Sequence, residues 1–206
     1  MTLPSHFDTI IFDLGGVLVD WNPRYMYRQI FSDEAEMERF LEEVTTGHWN
    51  EQQDAGRTLA EATELLVAEH PHYEPEIRAF YGRWTEMLNG AIEDTVAILD
   101  EIRNKGKHRV YALTNWSNET FPYALDNFHF LHWFEGILVS GDEKLIKPDP
   151  AIYELLLSRY NIERSTALFI DDNLNNVHGA LAVGLPAVQF ESPEQLRAFL
   201  VEKGVL

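Results

Sequence analysis

The chain has 206 residues, of which 45% are hydrophobic and 12% aromatic, and it contains no cysteine. Length and composition support a buried core; they exclude a disordered chain, a disulfide framework, thiolate catalysis and zinc–sulfur sites. With 16 Lys and Arg against 34 Asp and Glu the net charge is −18, which argues against nucleic-acid or anionic-membrane partners.

In chain order, Ile10-Ile11-Phe12 reads as a buried strand that ends in Asp13 and leaves through Gly15-Gly16. The glycines allow a tight exit and close approach of the backbone to a ligand. A carboxylate at the end of such a strand is either a turn residue or, in a parallel sheet, a group facing the ligand crevice. Asn22 and Pro23 then signal a helix start. From there to about Gly90 the periodicity is helical, with no convincing strand. The predicted helices run near 23–31, 34–45, 58–69 and 75–88. The acid-rich stretch around Glu34 to Glu43 reads as a solvated helix face.

From Glu93 the pattern changes to alternating helix and strand. Helices are predicted near 95–104, 118–128, 150–160 and 173–183, with another from Pro193. Strands fall at 110–113, 137–139, 167–170 and 187–190. Strands joined by helices of this length imply right-handed crossovers and a parallel sheet covered on both faces. The expected fold class is therefore α/β: a Rossmann-like parallel sheet core, residues 1–20 and 91–206, interrupted by an inserted helical cap, residues 21–90. Residues 1–6 lack a basic segment, the run at Ile10 is too short for a secretion signal, and nothing approaches the ~18 apolar residues of a membrane span. A cytoplasmic location with no membrane partner is the expectation.

Three later segments carry chemistry. Thr114-Asn115, followed by Ser117, is either an ordinary capping loop or an anion site of hydroxyl, amide and free N–H groups. Lys147 precedes Pro148 and Pro150, which stiffen its surroundings; by itself it is also compatible with an exposed loop lysine. Asp171-Asp172 places two like charges at a strand exit. A hard divalent cation with oxygen ligands relieves that repulsion, and Mg²⁺ is the natural candidate.

Taken together and in this order, Asp13-Leu14-Gly15-Gly16-Val17, Thr114-Asn115, Lys147-Pro148 and Asp171-Asp172 resemble the four motifs of the haloacid dehalogenase (HAD) superfamily. The resemblance spans essentially the whole chain, because the helical insertion falls where that family places its cap. Within it, the Asp-Leu-Gly-x-Val motif, Gly56 and Trp84 are most similar to the branch containing the bacterial glucose-1-phosphate phosphatase. The resemblance implies an Mg²⁺-dependent phosphatase acting on a small phosphorylated metabolite, such as a sugar phosphate, through an aspartyl-phosphate on Asp13. It implies Asp13, the Gly15 carbonyl, Asp171 and Asp172 as metal ligands, and Thr114, Asn115 and Lys147 as holders of the phosphoryl group.

One position departs from the family pattern. Family phosphatases usually carry a second Asp two residues after the nucleophile, as general acid/base; here that residue is Gly15. General acid catalysis contributes roughly 10²–10⁴-fold, so a good leaving group or another proton donor is needed. The stretch 47–57, polar and aromatic with glycines at 47 and 56, reads as a substrate-facing loop between helices. Trp49 and Arg57 are its candidate contacts; the alternatives are that Trp49 packs the cap and Arg57 pairs at the surface. Trp21 and Asn22 are weaker candidates at the hinge. His129 and His132 lie in an aromatic packing corner, and His178 in a helix, where structural roles are expected. Two rivals remain. A 2-haloacid dehalogenase would use the same nucleophile on carbon, but resembling enzymes lack an intact acidic pair in the fourth motif. A weak or non-catalytic ligand- or protein-binding member would account for Gly15.

Overall fold

The computed structural model describes residues 6–206. Strand β1 (Thr9–Phe12) is followed by the short β2 (Val19–Trp21). Next come five helices: α1 (Arg24–Tyr27), α2 (Glu34–Glu43), α3 (Gly47–Asp54), α4 (Leu59–Glu69) and α5 (Glu74–Gly82). Strand β3 (Leu88–Ala91) returns the chain antiparallel to β2. The remainder alternates α6 (Glu93–Lys105), β4 (Arg109–Thr114), α7 (Phe121–Asn127), β5 (Gly136–Val139), α8 (Ser140–Glu143) and α9 (Pro150–Arg159). It closes with β6 (Ala167–Asp171), α10 (Leu174–Ala182), β7 (Ala187–Gln189) and α11 (Pro193–Glu202).

The five long-range strands form one parallel sheet in the order β5-β4-β1-β6-β7. Because successive strand side chains point to opposite faces, β1, β4 and β6 split their residues between two cores. Ile10, Phe12, Val110, Ala112, Leu168 and Ile170 pack on one face, together with side chains from α2, α5, α6 and α11. Ile11, Tyr111, Leu113 and Phe169 pack on the other, against Ile152, Tyr153 and Leu156 of α9 and Val177 of α10. Burial on both faces explains why these strands read as unbroken apolar runs.

The helices start where the sequence provides capping side chains. Asp33, Thr46 and Thr58 accept hydrogen bonds from Ala35, Trp49 and Glu61. Asp149 and Ser192 cap α9 and α11, each with proline in the first turn. Asn22 Oδ1 accepts from the Arg24 amide at 3.0 Å, but the regular helix there is only four residues long.

Three expectations need correction. The segment after residue 20 is not free of strand: β2 and β3 pair as a ribbon that brackets the helices, in pieces too short to show alternation. The supposed loop at 47–57 is mostly helix α3, capped by Thr46. The helix expected from 118 begins at Phe121, because Ser117 closes a turn first, its carbonyl accepting from the amides of Thr120 and Phe121. Among the described residues no helix is long and apolar enough to cross a membrane.

Phe169 is wholly buried in the middle of β6, with the Tyr153 ring 5.8 Å away and Lys147 Nζ 5.5 Å from its ring centre. Phe169→Ala is expected to cost about 3–5 kcal/mol of stability through lost transfer energy and a residual cavity. Urea unfolding measures this, and an unchanged midpoint contradicts the packing.

Candidate active site

The carboxyl ends of β4, β1 and β6 lie side by side, and each carries one of the polar residues singled out in the sequence. Asp13 follows β1 directly, its amide donating to the Ile170 carbonyl at 2.8 Å. Asp171 ends β6 and Thr114 ends β4, both buried. Lys147 reaches the same point from the loop between α8 and α9. Its Nζ lies 2.8 Å from Asp13 Oδ1 and 2.7 Å from Asp171 Oδ2, and donates to the Leu113 carbonyl at 3.0 Å. An ammonium has three N–H donors, so all three have acceptors within the protein. The lysine side chain is 0% exposed. An exposed loop lysine is excluded.

The loop is fastened by a reciprocal pair. Asn115 Oδ1 accepts from the Lys147 amide at 2.9 Å, and Asn115 Nδ2 donates to the Lys147 carbonyl at 3.0 Å. The Asn115 side chain therefore fixes the lysine backbone. Asp171 is held further by Asn176 Nδ2 at 3.1 Å from both carboxylate oxygens and by the Asn173 amide at 2.8 Å. Asn176 was not anticipated. Its place in the first turns of α10, below Asp171, is a helix-register feature that could have suggested it.

Oxygens of Asp13, Asp171 and the more exposed Asp172 all lie within 4.8 Å of one another. Burial pushes the Asp13 carboxyl up to about 8; Lys147 opposes that rise, and Asp171 and Asp172 add to it. Burial also raises Asp172, with Asp171 adding to it. For Lys147, burial disfavours the charge, yet the two carboxylates win and hold the ammonium above its ordinary range. Three carboxylates facing one ammonium leave a surplus of negative charge on hard oxygen donors. That donor set suits a divalent cation bound through oxygen.

The two glycines after Asp13 have different parts. Gly16 has φ +73°, and a Cβ there would lie 2.4 Å from Asp172 Oδ2. Only glycine permits that close approach. A Cβ on Gly15 would meet nothing within 4 Å, so glycine is not sterically required at that position.

Beside Gly15 opens a cavity of about 110 Å³, lined by Trp21, Trp84, Trp116, Tyr81, Asn50, Asp54, Asn115, Ser117 and Thr120. Among the described residues none of those lining it is Lys or Arg. Asn115 and Trp21 are thus brought to the cavity. Trp49 and Arg57 are not, which corrects the expectation of substrate contact. Trp49 is buried edge-to-face against Phe80, with ring centres 5.0 Å apart. Arg57 donates to Gln53 Oε1 and the Trp49 carbonyl, at 2.8 and 3.2 Å. His129 and His132 stand in an aromatic cluster with Trp133, away from the acidic group.

Asn50, Asp54, Tyr81, Trp84 and Trp116 were not singled out as cavity residues. Asn50 and Asp54 are four apart and share one face of α3, a signal hidden by reading that stretch as a loop. A network holds them: Asn50 Nδ2 donates to Asp54 Oδ2 at 3.2 Å, Tyr81 Oη to Asn50 Oδ1 at 3.0 Å, and Gln53 Nε2 to Tyr81 Oη at 2.9 Å.

Gly16→Ala is expected to lower stability by about 1–2 kcal/mol from the left-handed backbone alone and to weaken divalent-cation binding by displacing Asp172. Gly15→Ala is expected to stay within about 0.5 kcal/mol of the parent. Chemical denaturation and metal titration of the two variants check this; equal effects contradict the asymmetry.

The chain is 29% identical over 181 residues to the sesquiterpene phosphatase astK of Aspergillus oryzae, covering 87% of each protein. It is 26% identical over 149 residues to the N-acylneuraminate-9-phosphatase of Rattus norvegicus, covering 71% of this chain and 56% of that protein. The HAD family enzyme BT-2542 of Bacteroides thetaiotaomicron, crystallised as a magnesium complex, superposes with a TM-score of 0.71. It is 20% identical, with 94% of this chain and 98% of that one covered. The L-2-haloacid dehalogenase of Xanthobacter autotrophicus shares the fold with a TM-score of 0.64 at 16% identity, over 97% and 84% of the two chains. The profile of the haloacid dehalogenase-like hydrolases matches residues 7–184, and the chain belongs to that family.

Proposed function

We propose that this hydrolase is an Mg²⁺-dependent phosphatase that transfers the phosphoryl group of a small phosphate ester to Asp13 and then to water. The observation that carries the reading is the buried Lys147 bridging Asp13 and Asp171, with Asp172 completing a cluster of carboxylates. Asp13, the Gly15 carbonyl, Asp171 and Asp172 would hold the cation. Bound there, Mg²⁺ supplies positive charge between the attacking carboxylate and an incoming phosphate dianion.

The protein's own groups do the rest. Lys147 holds Asp13 in place and favours its ionised form. Asp13 attacks phosphorus as the nucleophile. The Thr114 hydroxyl and the Asn115 backbone face the transferring oxygens as charge shifts onto them. Residues 21–90 act as a cap over a core of residues 1–20 and 91–206, and the cap residues of the cavity set the leaving group. Aromatic walls without a cation favour a neutral leaving alcohol that presents C–H surface, whether a sugar, as in the glucose-1-phosphate phosphatase branch, or a more apolar alcohol. The phosphatase names of the two curated relatives agree with phosphate ester hydrolysis. The same lining argues against a haloacid, whose carboxylate would lack a partner, and the intact Asp171-Asp172 pair argues the same way.

Asp13→Asn is expected to reduce phosphate release from p-nitrophenyl phosphate and a panel of sugar and alcohol phosphates by about 10⁴-fold or more. Chelation of Mg²⁺ should abolish turnover in the parent. Undiminished activity in Asp13→Asn, or activity that persists in chelator, refutes the reading. Halide release from 2-chloropropionate in chelator would establish the dehalogenase instead.

A further inference from the structure

We propose that Asp54, on α3 of the helical segment, is the general acid/base that Gly15 cannot be. This rests on the phosphatase reading and deepens it. The position two residues after the nucleophile carries no proton donor, and the space next to it is open: a Cβ on Gly15 would meet nothing within 4 Å. The same cavity that Gly15 lines is also lined by Asp54, the only carboxylic acid among the described residues bordering it. A leaving alcohol bound there has one acidic side chain available.

Asp54 is held for that role. Asn50 donates to its Oδ2, Tyr81 fixes Asn50, and Gln53 fixes Tyr81. At the end of α3, Gly56 packs against the core; a Cβ there would lie 2.9 Å from Lys144 Cγ and 3.2 Å from the Gly141 carbonyl. The C-terminal end of α3, which carries the acid, is therefore seated against α8 and Lys144, just after β5.

Its ionisation suits proton transfer near neutrality. Burial raises the carboxyl, Glu51 on the same helix adds to the rise, and the Ser117 amide and Lys147 act the other way, leaving it at about 7. Tyr81 on α5, with Arg57 and Glu119 near it, completes the surroundings. A general acid/base works best with a pKa near the working pH.

In the first step the Asp13 oxygen–phosphorus bond forms and the bond from phosphorus to the leaving oxygen breaks. The Asp54 carboxyl proton goes to that oxygen, releasing a neutral alcohol. In the second step the Asp54 carboxylate takes a proton from water as the water oxygen bonds to phosphorus. The Asp13–phosphorus bond breaks, giving phosphate and the protonated acid again.

The test compares phenyl phosphate, whose leaving group needs a proton, with p-nitrophenyl phosphate, whose leaving group needs it less. Asp54→Asn is expected to lower kcat/KM, which reports only the steps up to release of the alcohol, by about 10²–10⁴-fold on phenyl phosphate and by under about tenfold on p-nitrophenyl phosphate. Adding Gly15→Asp to Asp54→Asn should recover phenyl phosphate turnover by at least about tenfold. In the parent enzyme, kcat/KM for phenyl phosphate should fall above about pH 7, as Asp54 loses its proton, while kcat/KM for p-nitrophenyl phosphate changes less. Equal losses of kcat/KM on both esters, or kcat/KM profiles against pH that coincide, overturn the assignment while leaving the phosphatase reading intact. Turnover of neither ester by the parent enzyme overturns the phosphatase reading itself, and the assignment of Asp54 with it.

Discussion

One buried ammonium organises this molecule. Lys147 is enclosed at the point where three neighbouring strands end, and its three donors meet Asp13, Asp171 and the Leu113 carbonyl. A lone buried charge costs several kcal/mol, so the lysine requires its partners and they require it. The strand order makes the meeting possible. With β1 between β4 and β6, the residues after Phe12, Ala112 and Ile170 fall next to one another. A shift of one residue in either pairing would turn these side chains to the opposite face. The two apolar cores, which fix that register, are thus also what holds the polar cluster together. Asn115, by clamping the Lys147 backbone, links the β4 end to a loop 32 residues further along.

The arrangement is balanced only in part. The lysine compensates one of three carboxylates, and burial leaves Asp13 reluctant to ionise by itself. A nucleophilic carboxylate must be ionised, so the protein alone places the group without fully activating it. A divalent cation on the same oxygens would supply what is missing. Gly16 is the structural sign of this crowding, since it alone lets the chain pass so close to Asp172.

The sheet was legible because its strands are buried on both faces and so appear as short, uninterrupted apolar runs punctuated by helices. Asp13, Thr114, Lys147 and Asp171 were legible for a related reason: each stands where an apolar run stops. What failed was local. The ribbon of β2 and β3 is too short for alternation to register, and Asp20 and Asn89 within it look like turn residues. Residues 47–57 carry glycines and polar groups on a helix whose apolar contribution is essentially Trp49, so period alone gave no helix. Trp49 and Arg57 were misplaced because residue type shows that a side chain is large or charged, but not which way the helix turns it. Asp54 escaped notice for the same reason, although it shares a helix face with Asn50.

With the acid carried by α3 and the nucleophile by β1, the two halves of the reaction reside on different parts of the chain. Gly15 then makes sense as an absence compensated elsewhere: the family position is left open, and the donor reaches the same cavity from α3. Such a division has a physical consequence. A carboxyl after the nucleophile is present whenever the sheet is folded, whereas a carboxyl on the helical segment depends on how α3 packs, and α3 ends against α8 and Lys144. Burial of Asp54 is what lifts its pKa toward neutrality. In the proposed role, proton donation and exclusion of water from the acid therefore go together. A solvated Asp54 would be ionised at neutral pH and have no proton to give, so the proposed division of labour works only while the acid on α3 stays buried beside the nucleophile's strand.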